Sequence, residues 1–529
     1  MKPFCGFLVT FFLLLLAASS LAQIDETTTF RFNYFRRGDP LIELQGNARI
    51  LSSGDVQLAD DVASNSGRLL YSRPVRLWNR TTGNVASFMT SFTFTMNDIR
   101  GFAAAEGIVF FIAPENIQLT SHEGIGGALG IAQSNGVGLF VGVEFDNFVN
   151  GEFRDPGFVH IGIDVNTVIS TKTTLWKRVS GTVVQVTVVY DSSSNVLSAI
   201  ALNGDGEIFT IAQVVDLTVA NLPERVKFGF SSSTGTGRQL HTIRSWSFTS
   251  TLQSGFRRLT TNNNNGTNIK HATSFAQTDE TTTFSFNFFR QGDPLIELQG
   301  NARILSNGDA QLADNVASNS GRVLYSRPVR LWNRTTGNVA SFMTSFSFTM
   351  NNVQGFTPAE GIVFFIAPEN IRLTSHDGIG GGLGIAQFNG GGQFVGVEFD
   401  NFRNAEFRDP GAAHVGIDVN SVISTKTTPW TRVTGTVVQV TVSYDSYSEI
   451  LSVVALNGNG VITTIAHVVD LRTANLPERV KFGFSSSTGT GRQLHLIRSW
   501  YFTSTLRSGP RRLTTNNNNG TNIEHVPEI

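Results

Sequence analysis

The stretch from Asp25 to Leu252 recurs, without insertion or deletion, 254 positions later (398 less 144), with roughly four in five residues identical. Glu144 returns as Glu398, Asp25 as Asp279, and all six tryptophans fall into pairs: Trp78/Trp332, Trp176/Trp430 and Trp246/Trp500. A unit of about 228 residues is far too long for a solenoid repeat, whose period is roughly 20–50 residues, and matches one large sandwich domain. The expected organisation is a leader over 1–22, a first domain over 23–253, an Asn-rich linker over 254–278, a second domain over 279–507 and a tail over 508–529. Ser274-Phe275-Ala276-Gln277 echoes Ser20-Leu21-Ala22-Gln23, as a head-to-tail gene duplication or a joined gene model would leave it.

Charge narrows the function classes. The formal net charge is −1, with no Lys/Arg-rich run, so the basic excess that drives phosphate binding is absent and a nucleic-acid role is excluded. Lys2, the apolar run from Gly6 to Ala18 and Ser20-Leu21-Ala22 read as a secretory signal, too short for the ~20 residues of a membrane span. The expected location is the secretory pathway, extracellular or vacuolar, with no transmembrane segment. The only cysteine, Cys5, lies in that leader, so the mature protein is expected to hold itself by large apolar cores or bound metal.

Within each copy the period is two. Val184, Val186, Val188 and Tyr190 share one face of a strand that stops at Asp191-Ser192-Ser193-Ser194-Asn195, and Val196 to Leu202 runs into the turn cluster Asn203-Gly204-Asp205-Gly206. With 42 Phe and 52 Gly, and hardly a helical stretch beyond Leu217–Pro223, the fold class is all-β: two jelly-roll β-sandwich domains in tandem.

The segment from Val141 to Asp164 carries the chemistry. Glu144, Asp146 and Phe148 alternate with Val143 and Phe145, so a strand sends two carboxylates to one face and apolar residues into the core. Paired carboxylates repel and need a cation or a shared proton between them. The following loop supplies Asn150 and Asp155, and the returning strand supplies His160. Oxygen ligands with one imidazole suit two ions, a transition metal such as Mn²⁺ at the histidine and Ca²⁺ at an all-oxygen site. Between Phe140–Thr167 and Phe394–Ser421 six of 28 positions differ, and Glu398, Asp400, Asn404, Asp409 and His414 are all retained.

These residues resemble the legume lectins over nearly the whole of both copies. The likeness rests on Val143-Glu144-Phe145-Asp146 with its spaced Asn150, Asp155-Pro156 and His160. Leu222-Pro223-Glu224-Arg225-Val226, Gly229-Phe230-Ser231 and Arg244-Ser245-Trp246-Ser247-Phe248 add to it. The resemblance implies that Glu144, Asp146, Asp155 and His160 hold a transition metal, while Asp146, the Phe148 carbonyl, Asn150 and Asp155 hold calcium. Glu398, Asp400, Phe402, Asn404, Asp409 and His414 do the same in the second copy. It further implies a sugar site of Glu106, Gly127, Phe148, Asn150, Gly235 and Thr236, and of Glu360, Gly381, Phe402 and Asn404, with the loop Ser487-Thr488-Gly489-Thr490-Gly491 as wall. Two positions depart from the family. Its sugar-binding acid is an Asp after Ala and before Gly, joined by a cis peptide, where this chain has Ala105-Glu106-Gly107 and Ala359-Glu360-Gly361. Asn147 and Asn401 stand where the family prefers Ser or Thr.

The resulting expectation is a secreted, metal-dependent carbohydrate-binding protein with glycans or glycoproteins as partners, as a homo-oligomer or through intrachain pairing of its domains. The alternative is a storage or defence protein whose longer acid weakens sugar binding. Glycoside hydrolases also use paired carboxylates, but here those are committed to metal, and no G-x-S-x-G, H-E-x-x-H or P-loop pattern occurs, so no enzymatic activity is expected. Sequons at Asn79, Asn265, Asn333 and Asn519 are glycosylation candidates.

Overall fold

The computed structural model describes residues 25–119, 124–253, 279–373, 378–411 and 413–509. The leader, the linker and Asn265 lie outside these residues, as do Asn519 and the tail beyond 509.

Four eight-stranded antiparallel sheets account for the described chain, two built from strands between Glu26 and Leu252 and two from strands between Glu280 and Leu506. In the first half, one sheet has Ser87–Asp98 and Val184–Asp191 at its centre, and we call it the back sheet. The other, the front sheet, runs through Lys172–Leu175, His160–Thr167, Val137–Asp146, Gly107–Pro114 and Arg225–Thr234. Alternation explains how they stack. Val184, Val186, Val188 and Tyr190 of the back sheet meet Val141, Val143 and Phe145 of the front sheet in one core with Phe92, Phe94 and Trp246. The Trp246 ring lies edge-on to Phe30 and Phe230 at 4.8 and 4.9 Å, a geometry aromatic quadrupoles favour.

Gly107–Pro114 is apolar on both faces, and both faces are used. Ile108, Phe110 and Ile112 enter the main core, while Val109, Phe111 and Ala113 form a second one with Leu129, Ile131 and Phe140 under the loop that follows. The buried Arg68 fastens that loop by donating to the Gly130 carbonyl at 2.6 Å. The second half repeats this arrangement.

The period-two expectations for Val184–Asp191 and Val196–Leu202 agree with the strands found. Leu217–Pro223, the one stretch expected to be helical, forms turns instead, and the only helical segments among the described residues are four single 3₁₀ turns such as Gly126–Ala128 and Gly151–Phe153. Among the described residues no helix is long and apolar enough to cross a membrane.

Candidate functional site

The site stands where the front-sheet strand Val137–Asp146 ends. Its neighbours are set by register: His160 pairs with Asp146 and Gly162 with Glu144 on one side, and Gly107 pairs with Asp146 on the other. Because Val143 and Phe145 point into the core, Glu144 and Asp146 point away from it on the opposite face. The strand ends at Asp146, so Phe148 lies beyond it rather than continuing its alternation. Asp146 Oδ1 accepts the Phe148 N–H at 2.8 Å and turns the chain. Asp155 Oδ2 closes the following loop by accepting the Asn150 N–H at 2.6 Å.

Glu144, Asp146 and His160 are buried, with ligand atoms within 4.8 Å of one another, and Glu398, Asp400 and His414 repeat this. The His160 Nε2 to Glu144 Oε1 distance is 2.9 Å, and His414 to Glu398 is the same. Burial, then the Glu144 charge, pushes the Asp146 carboxyl well above its ordinary range. Burial likewise raises Asp155 to about 6. Burial pulls the His160 imidazole down, but the hydrogen bond and charge of Glu144 outweigh it and the net shift is upward. The Asn150 side-chain oxygen is buried with no hydrogen-bond partner. Crowded carboxylates, an imidazole and an orphaned amide oxygen are a donor set that fits divalent cations, the nitrogen end suiting a transition ion and the all-oxygen end a hard one.

Two residues of this cluster escaped the sequence reading. Ser170 Oγ lies 2.6 Å from Glu144 Oε1 and 2.7 Å from Asp164 Oδ1, bridging the two carboxyl groups with its single proton, and Asp164 is fully buried with its second oxygen unpartnered. The signal was present in the alternation His160, Gly162, Asp164, which puts all three on the acid-bearing face. Gly162 leaves the space the others fill: a Cβ there would lie 1.9 Å from Ser170 Oγ and 2.3 Å from Glu144 Oε1.

Beside the cluster, Glu106, Gly127, Asn150 and Gly235 converge. A Cβ on Gly127 would lie 2.6 Å from Asn150 Cγ, and one on Gly235 would lie 2.3 Å from Glu106 Oε1, so both glycines keep this corner open. Glu106 is 3% exposed and Oε2 has no partner. Burial raises its carboxyl to about 7, against the opposing hydrogen bond with Asn150, and the charges of Asp155 and Glu152 add to the rise. Glu360 sits in the same way against Asn404, at about 7, with Gly381 and Gly489 in the matching places. Phe148 and Phe402 are half-buried on their loops, and Thr236 is exposed in the turn that links the front-sheet strand Arg225–Thr234 to the back-sheet strand Gln239–Leu252. Asn147 ties the Glu106 strand in place, its amide donating to the Ala105 carbonyl at 3.1 Å and its N–H to the Glu106 carbonyl at 3.1 Å. Every peptide bond among the described residues is trans, including Ala105–Glu106, where the family resemblance implied cis. Asn79 and Asn333 are half-buried in tight turns, each Oδ1 accepting a backbone N–H two residues on at 2.9 Å.

These shifts set a pH dependence for the metal-free protein. Glu106, Asp155 and Asp146 hold protons in the folded state that the unfolded chain releases near its ordinary carboxylate values of about 4, so unfolding releases protons and stability falls as pH rises. The raised His160 acts in the same direction, losing its contribution as pH passes above its unfolded value of about 6.5. In EDTA the melting temperature is expected to fall steadily from about pH 4.5 to 7.5, and bound divalent cations should flatten that slope. A scanning-fluorimetry series with no decline would contradict the assignment.

A family model described as the legume lectin domain matches residues 27–264 and again 281–519. A galactose-binding lectin of Arachis hypogaea is 56% identical over 265 residues, 50% of this chain and 96% of that protein. A basic agglutinin of Psophocarpus tetragonolobus is 46% identical over 244 residues, covering 43% of this chain and 97% of the other. Among solved structures, a peanut lectin with a nine-residue peptide is 54% identical, covers 44% of this chain and 100% of its own, and superposes with a TM-score of 0.43.

Proposed function

The chain belongs to the legume lectin family, with one family domain in each half, and from that premise we propose that it is a secreted lectin whose carbohydrate binding depends on metal. Family membership makes it a carbohydrate-binding protein rather than an enzyme. The proposal adds the ions: one Ca²⁺ and one Mn²⁺ or similar transition ion per domain. In each domain the buried Glu-Asp-His cluster lies against the loop that presents Asn150 or Asn404, and this observation carries the proposal. The cations would neutralise carboxylates that otherwise repel one another, and would hold that loop in place.

The chain's own residues would then do the recognition. Asn150 offers an amide, the Gly127 backbone a donor, Phe148 an apolar ring face and Glu106 a charged acceptor, the few fixed polar groups beside one aromatic platform that a hydroxyl-rich ligand needs. One observation favours weak binding in a storage or defence role: Glu106 already engages Asn150 and fills the corner beside Gly235. Secretion, and delivery outside the cell or to the vacuole, rests on the leader sequence, and glycan attachment on the sequons.

The test is a glycan array probed with Ca²⁺ and Mn²⁺ and again with EDTA. Binding to defined glycans that vanishes in EDTA is the expected result. Binding indifferent to EDTA would remove the metal requirement, and no binding under either condition would favour the storage or defence reading.

A further inference from the structure

Along Val196–Leu202 the outer face of the back sheet, turned away from the core, is buried where an antiparallel sheet facing water would be exposed. In Val196–Leu202, Leu197, Ala199 and Ala201 enter the core, and the alternate residues Val196, Ser198 and Ile200 are nevertheless only 3%, 3% and 2% exposed. The other half of the chain covers them.

That contact maps onto itself under the 254-residue offset. Val196 and Ala212 pack with Val454, against which Leu456 and Ile462 lie. Ile200 packs with Ile450 and Ala466, beside Leu202 and Ile208. Each group in one cluster is the counterpart of a group in the other, with the two halves exchanged. The polar contacts obey the same exchange: Thr441 Oγ1 donates to Asp191 Oδ2 at 2.8 Å and Thr187 Oγ1 to Asp445 Oδ2 at 3.2 Å. Thr210 Oγ1 meets its own counterpart, Thr464 Oγ1, at 2.9 Å, as only a residue on a two-fold axis can. Reciprocity of this kind marks an isologous interface. One contact breaks it: Gln439 donates to the Ser193 carbonyl at 3.0 Å, whereas Tyr447 stands at the Ser193 counterpart and the Oε1 of Gln185 is buried without a partner.

We propose that the two domains form an intramolecular pseudo-two-fold dimer through the outer faces of their back sheets. The faces specify the pairing, and the connecting segment 254–278 only raises the local concentration of each for the other. The layers then run front, back, back, front. Both candidate sites belong to front sheets and therefore lie in the two outer layers. On the lectin reading, which this consequence requires and the pairing itself does not, one chain bridges two glycan-bearing surfaces instead of clamping two glycans on one.

Thr210→Cys with Thr464→Cys tests the pairing directly, because two Oγ atoms at 2.9 Å place the side chains close enough for a bridge, and the only native cysteine is Cys5. With a protease site introduced between 262 and 265, the oxidised and cleaved protein is expected to run as one full-mass band without reductant and as two halves with it. Two halves and free thiols without reductant would overturn the proposal, as would disulfides found only between separate chains. Independently, the cleaved chain without new cysteines should keep the native mass of one chain, and Ile200→Asp with Ile450→Asp should drop it to halves that retain their near-ultraviolet circular dichroism. Separation of the cleaved parent into halves would equally end the idea. Both readouts are independent of sugar binding, so failure of the lectin reading leaves this test standing.

Discussion

Asp146→Ala is expected to strip both cations from the first domain while the second, with Asp400 intact, stays loaded, halving the metal found by elemental analysis after dialysis. Asp146 sits between the two ends of the cluster. It shares the His160 face with Glu144, and it turns the chain toward Asn150 and Asp155 through its bond to the Phe148 N–H. An ion that binds only the folded domain stabilises it by about 2.7 kcal/mol at a concentration about 100-fold above Kd. For a domain of this size that corresponds to a rise in melting temperature of about 5–10 °C. The rise should vanish for the first domain of the variant and persist for the second, which serves as an internal reference in the same calorimetric trace. Without ions the comparison changes character, since the substitution removes a buried carboxyl that burial and Glu144 already push upward. The metal-free variant should therefore lose little relative to the metal-free parent. Full metal content in Asp146→Ala would show that the cluster is not the binding site.

That cluster was legible because metal ligands at a strand end obey the same alternation as a core. Val143 and Phe145 inward imply Glu144 and Asp146 outward, and the register brings His160 opposite Asp146. What escaped is equally physical. Asp164 and Ser170 read as ordinary strand and loop residues until the void at Gly162 shows what occupies it. Val196 and Ile200 read as one apolar strand. Period two announces that both faces are covered, but not that the cover is the same strand of the other domain, 254 positions on in the chain. The burial of Glu106 depends on three separate segments, around Ala105, Asn150 and Gly235, meeting in space, and local sequence carries no trace of that meeting.

Glu106→Asp together with Glu360→Asp should strengthen sugar binding while leaving metal content unchanged. The acid stands at the start of Gly107–Pro114, opposite the strand end that carries Asp146, and its side chain runs to the corner formed by Asn150, Gly126 and Gly235. At full length the carboxylate reaches the Gly235 backbone and engages the Asn150 amide, the donor a saccharide hydroxyl would use, while Oε2 stays buried without a partner. Removing one methylene draws the carboxylate back by about 1.5 Å. That displacement exceeds what a hydrogen bond tolerates, so the Asn150 contact should break and its amide become available to a ligand. A hydrogen bond between neutral groups contributes about 0.5–1.5 kcal/mol, so the regained Asn150 contact corresponds to roughly a two- to tenfold gain in affinity. Titration calorimetry against a glycan selected on the array reads this directly. Glu106→Asp alone should convert one of two sites and give a two-class isotherm. A double variant that binds no better than its parent, with metal content intact, would show that the added methylene does not limit recognition.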